Sequence, residues 1–155
     1  MRLLPAVAAI AALASASSLS AQAVAPLDLD SATALPGMWT WSPATDGSEA
    51  VFLSSAGLPQ IWLHCSRPSR TVSIARPANS AAPFLSVWTT SQARALPASF
   101  NPATARSTAT VAAADSLLDA LAFSRARIAV ATGPASPVIA PAWPEIARVV
   151  EDCRS

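Results

Sequence analysis

The chain has 155 residues, 52% of them hydrophobic and only 12% charged, with 14 prolines, 4 glycines and 10 basic side chains that are all arginine. Alanine supplies 37 of the positions, so the hydrophobic fraction overstates the core these residues can build. The formal net charge of +1, with no block of like charge, excludes a broad electrostatic partner such as nucleic acid or an anionic membrane surface.

Residues 1–23 read as a secretory signal peptide. Arg2 supplies the positive start, Leu3 to Leu13 an apolar run, and Ala21-Gln22-Ala23 the small-residue pattern a signal peptidase requires. The run is interrupted by Ser15, Ser17 and Ser18, too short for the roughly 20 residues of a membrane-spanning helix, so no stable insertion is expected after cleavage. Removal of the leader leaves roughly 130 residues, enough for one domain, in a periplasmic or secreted setting.

Residues 24–48 hold Pro26, Pro36, Pro43 and Gly47 and lack a steady period. They are expected to form an irregular or flexible lead-in, with a short strand near Gly37 to Trp41 as its one exception. A single domain is expected over residues 49–155. Val51 to Leu53 begins it as a strand, followed by a turn at Ala56-Gly57-Leu58-Pro59. From Gln60 to Ser66 the residues alternate, placing Ile61, Leu63 and Cys65 on one face and Trp62 and His64 on the other. Arg67-Pro68-Ser69-Arg70 is turn chemistry, and Val72 and Ile74 resume the inward face, which makes this the clearest hairpin in the chain.

A further strand is expected over Pro83 to Thr90, and a short extended piece around Arg94 to Leu96. Asp115 is a suitable N-cap for a helix from Ser116 to Phe123 with Leu117, Leu118 and Leu121 as its stripe. Arg127 to Thr132 and Pro137 to Ala140 read as paired strands about Gly133-Pro134. Pro144 opens a last helix in which Ile146, Val149, Val150 and Cys153 fall at i, i+3, i+4 and i+7. The fold class is therefore α+β: an antiparallel sheet of five to seven short strands with a short helix and a C-terminal helix packed on it. In an oxidising compartment Cys65 and Cys153 are expected to form one disulfide between hairpin and helix, worth roughly 4 to 5 kcal/mol by loop closure.

Catalytic signals are sparse. His64 is the sole histidine, it lies mid-strand, and no Gly-x-Ser-x-Gly elbow presents a serine to it. One histidine, two bonded cysteines and scattered acids do not make a metal site, and no cofactor is expected. Five tryptophans without a tyrosine either line a sugar- or peptide-binding groove or, on the preferred reading, fill volume in a core otherwise short of large side chains, with Trp62 the one most suited to an exposed role. Arg67, Arg70 and Arg76 around the hairpin, and Arg125 with Arg127 after the first helix, are clusters of a kind that can clamp a carboxylate or phosphate, with Arg67 and Arg70 the candidates beside the turn.

The tail DSLLDALAFSRARIAVATG, continued by PAWPEIARVVEDCR, resembles small exported proteins of Gram-negative bacteria without an assigned activity. A looser resemblance runs to invasion-associated locus B type periplasmic proteins, through the leader, the β-rich body and a disulfide reaching the end of the chain. The expected function is that of an exported noncatalytic domain that binds a protein, peptide or envelope component through Trp62, His64, Arg67 and Arg70. The alternative is a small exported hydrolase or enzyme inhibitor using His64.

Overall fold

A computed structural model describes residues 24–155; the expected signal peptide, residues 1–23, lies outside the described residues. Three consecutive antiparallel connections run through β1 (Gly37–Ala44), β2 (Gly47–Ser54), β3 (Pro59–Ser66) and β4 (Thr71–Pro77). The chain then leaves to build β5 (Phe84–Trp88) and β6 (Ala93–Pro97), and returns through β7 (Ser99–Asn101) and β8 (Arg106–Ala112). After α1 (Ser116–Ala122), β9 (Arg127–Thr132) and β10 (Val138–Pro141) complete a second sheet, and α2 (Pro144–Arg154) ends the chain. The six-stranded sheet has the order β1-β2-β3-β4-β8-β7 and the four-stranded sheet β10-β9-β5-β6. The fold is α+β, with two antiparallel sheets and ten strands among the described residues where one sheet of five to seven strands was expected.

Alternation decides which face of the large sheet is buried. Inward rows run across the strands as Trp39, Phe52, Ile61, then Trp41, Ala50, Leu63, Ile74, Ala109, then Ser48, Cys65, Val72, Val111. Trp39 packs on Phe52 with ring centroids 5.4 Å apart, and its Nε1 donates to Pro141 O at 2.7 Å, which satisfies the indole N–H at the sheet boundary. Helix α2 covers the β1–β4 side of this face with Ile146, Val149, Val150 and Cys153, all buried. The small sheet covers the β4–β8 side through Leu85, Val87, Ile128 and Val130.

The disulfide joins Cys65 of β3 to Cys153 of α2 across a sequence separation of 88, with Cα atoms 5.4 Å apart. Asp115 caps α1 as its sequence position implies, accepting from Leu117 N at 2.8 Å. The lead-in is shorter than expected: β1 starts at Gly37 and β2 at Gly47, so only residues 24–36 lie outside regular structure. Gly47 sits where a Cβ would come within 2.2 Å of Cys65 O, so close approach of β2 to β3 demands glycine there. Residues 24–36 lie as a strap on the outer side of the small sheet. Trp88 Nε1 donates to Ala25 O at 2.9 Å, Arg127 Nη1 to Leu29 O and Asp30 O at 3.1 Å each, and Leu35 N to Ile139 O at 2.8 Å.

Candidate functional site

The outer face of the large sheet carries two adjacent cross-strand rows. One runs Thr40, Val51, Trp62, Ala75, Thr108, and the other Ser42, Glu49, His64, Ser73, Thr110. Alternation along β3 places Trp62 and His64 here because Ile61, Leu63 and Cys65 take the core. An uncovered antiparallel face of this kind is stable in water because its side chains are small, hydroxylated or charged.

Trp62 does not stand open as the sequence implied. The Arg106 guanidinium lies 3.7 Å from its ring centroid, and the residue is only 8% exposed. Arg106 enters from β8, two strands away, and the stack is worth about 0.5–1 kcal/mol on an accessible face. The most exposed indole is that of Trp143, which precedes the first residue of α2.

His64 sits between two acids. Its Nε2 is 3.1 and 3.3 Å from the two carboxylate oxygens of Asp46, in the β1–β2 turn, and its Nδ1 faces Glu49 Oε2 at 3.8 Å. The hydrogen bond with His64 is the chief reason that the Asp46 carboxyl is held below the usual carboxylate range. Ser73 stands opposite His64 in the β3–β4 register, but both ring nitrogens are turned to carboxylates and no base-activated serine is formed. Among the described residues no group of three His, Cys, Asp or Glu side chains is placed to hold a metal ion.

Arg67 and Arg70 are not part of this face. Arg67 Nε donates to Asp152 O at 3.2 Å and Arg70 Nη2 to Arg154 O at 3.3 Å, so both guanidiniums hold carbonyls in the last turn of α2. Cations are favoured there, where the helix carbonyls lack internal partners and the dipole is negative. Arg70 adopts the left-handed backbone conformation, φ 51°, that closes the turn and directs it toward the helix. The structure thus brings together Trp62 and His64 and sends the two arginines to fasten α2 beside the disulfide.

Sequence reasoning missed Arg106, Asp46 and Glu49. For the two acids there was a signal, since Asp46-Gly47 between alternating segments marks a hairpin whose pairing sets Glu49 opposite His64. Arg106 left none, because its place over Trp62 depends on two successive strand pairings. Trp41, on the inner side, is likewise covered by an arginine, with Arg148 3.4 Å from the ring centroid and Asp152 Oδ2 accepting from Nε1 at 3.2 Å. Comparison of the chain with models of protein families, with curated proteins and with solved structures finds no match.

Proposed function

We propose that the chain is an exported noncatalytic binding domain, and that the outer face of the large sheet is its binding surface for a protein, peptide or envelope component. The observation that carries the reading is the pairing, on one uncovered sheet face, of the Trp62–Arg106 stack with the Asp46–His64–Glu49 cluster. Stacking on the nearly covered Trp62 ring holds the Arg106 guanidinium in place at small further entropic cost, and Arg is among the residues that most often anchor interfaces. The His64 cluster adds charge of defined position at its rim.

Export rests on the leader-like residues 1–23 and on the disulfide, which persists in oxidising compartments. Among the described residues no helix is long and apolar enough to cross a membrane. A periplasmic rather than fully secreted location follows only from the resemblance of the tail to small exported Gram-negative proteins and belongs to the same proposal.

The test is site-specific photo-crosslinking in the oxidised protein. Probes at Thr40 and Thr108 flank Trp62 on the outer face, and a probe at Phe123, exposed at the end of α1, serves as control. Incubated with envelope extract, the outer-face probes should yield a discrete adduct that Arg106→Ala weakens. Equal labelling from Phe123, or an adduct indifferent to Arg106→Ala, overturns the assignment of this face.

A further inference from the structure

A charged side chain stands where the fold calls for an apolar one. Along β4, Val72, Ile74 and Arg76 share the inward face, so the third of these directs a guanidinium into the gap between the two sheets. Burying a cation there is unfavourable unless it is compensated. Its Nη1 is well used, donating to Val130 O at 2.7 Å and Ser136 O at 3.1 Å and so tying β4 to β9 and the β9–β10 link. Both acceptors are neutral. The ion pairs among the described residues are those of Arg94 with Asp115, Arg154 with Asp119, and His64 with its two acids, so Arg76 has no carboxylate. Burial alone pushes its pKa below the ordinary arginine value, and no acid acts in the other direction.

The remaining donors of Arg76 coincide with further unsatisfied groups. Arg76 Nε is buried without a partner, as are Ser107 Oγ and Thr132 Oγ1. Ser107 is directly opposite Arg76 in the β4–β8 register, and Thr132 follows Val130 on the inward face of β9. Buried unpartnered polar atoms are few in folded proteins, and three at one end of one inter-sheet layer mark a locus rather than scatter. Arg76 and Thr132 also line a cleft of about 480 Å³ that opens at this end of the layer. Its walls are one-carbon and ring side chains, including Ala81, Ala82, Pro134 and Ala135, with Asn79 and Ser80 at the rim.

We propose that this cleft binds the carboxylate of a small organic acid or of a peptide C-terminus, held by Arg76 and Thr132 with a short apolar substituent against the alanine and proline wall. With Nη1 committed to carbonyls, the Nε–Nη2 edge of the guanidinium is left uncommitted, and its two parallel N–H groups match the two oxygens of a carboxylate. One uncompensated cation matches one negative charge; the cleft lining has no second arginine to balance a phosphate dianion. Arg76 Nε is buried in this structure, so binding as proposed includes an outward shift of the exposed residues 79–81, which line the cleft beyond the Ala78 N to Ala105 O hydrogen bond of 3.0 Å. This site is separate from the outer face of the large sheet and does not depend on its role.

The test is calorimetric titration of the oxidised full chain with propionate, with a dialanine peptide whose C-terminus is free or amidated, and with inorganic phosphate. Saturable binding of propionate and of the free peptide to similar extents points to a small acid; tighter binding of the free peptide, abolished by amidation, points to a chain terminus. Arg76→Gln should weaken binding on the order of tenfold to a hundredfold. Because Arg76 also ties the sheets together, Thr132→Val gives the discriminating result: removal of an unpartnered hydroxyl should raise the melting temperature of the ligand-free protein while weakening binding roughly threefold to tenfold. A role confined to structure would not move the two readouts in opposite directions. Absence of saturable carboxylate binding, binding of phosphate alone, or affinity unchanged in both variants overturns the proposal.

Discussion

Removing the link between Cys65 and Cys153 should be the most costly small change available in this protein. The bond closes a loop of 88 residues, and on the loop-closure model this takes about 15 cal/mol/K of entropy from the unfolded chain, or about 4.6 kcal/mol at 25 °C. Domains of this size are stable by about 5–15 kcal/mol, so a third or more of the total is at stake. In the native state the loss is local: α2 keeps its buried Ile146, Val149 and Val150 and the arginine contacts to its last turn. The variant to make is Cys65→Ala with Cys153→Ala, since serine would leave a hydroxyl in a site where both residues are at most 1% exposed. Urea unfolding should show the midpoint falling sharply while the m-value rises, because the unlinked unfolded chain exposes more surface. Cys65→Ala alone should match the double variant to within about 1 kcal/mol, as either removes the same constraint. A loss below about 1 kcal/mol in the double variant, at unchanged m, refutes the argument that the link acts on the unfolded state.

Two further outcomes concern strain and acid. Ala126, between α1 and β9, has φ 63°, a conformation that costs an L-residue about 1–2 kcal/mol, so Ala126→Gly should stabilise the protein by about 0.5–1 kcal/mol in urea unfolding; a destabilisation there contradicts the backbone reading. The Asp46 carboxyl, lowered chiefly by its hydrogen bond with His64 from an ordinary value of 3.8, contributes stability that is present above that value and is lost as pH falls below it through the folded-state pKa. Asp46→Asn should flatten that part of the acid limb in thermal melts between pH 5 and about 2, and a limb identical to that of the parent protein excludes the contact as its source.

Much of the architecture was legible where large side chains mark the period. The stripe Ile146, Val149, Val150 and Cys153 located α2, and the alternation of β3 and β4 located the central hairpin and the cysteine on its inner face. Where the inward residues are small the pattern fades. Strand β8 turns Ser107, Ala109 and Val111 to the core, so its binary pattern barely differs from that of a loop, and β7, at three residues, has too short a span to show one. The first hairpin was obscured by Pro43, which is tolerated because β1 is an edge strand with a free side for a residue lacking an N–H. At the candidate site, alternation correctly paired Trp62 with His64, but side-chain reach decided the rest. Arg106 closes over the indole from a strand two places away, and Arg67 and Arg70 turn to the helix end because carbonyls wait there. Nothing local to a sequence segment carries that information.

The strap of residues 24–36 bears on when the fold can close. Its contacts are with Trp88, Arg127 and Ile139, and the adjoining β1 sends Trp39 to Pro141 and Trp41 to Asp152. Strand β1 pairs at once with β2, but the strap and the indoles of Trp39 and Trp41 find their remaining partners only among residues 88–152, and such long sequence separations make closure slow. The part of the chain made last thus fixes the part made first, and the finished form is reached only once the strap, β1 and α2 are all present.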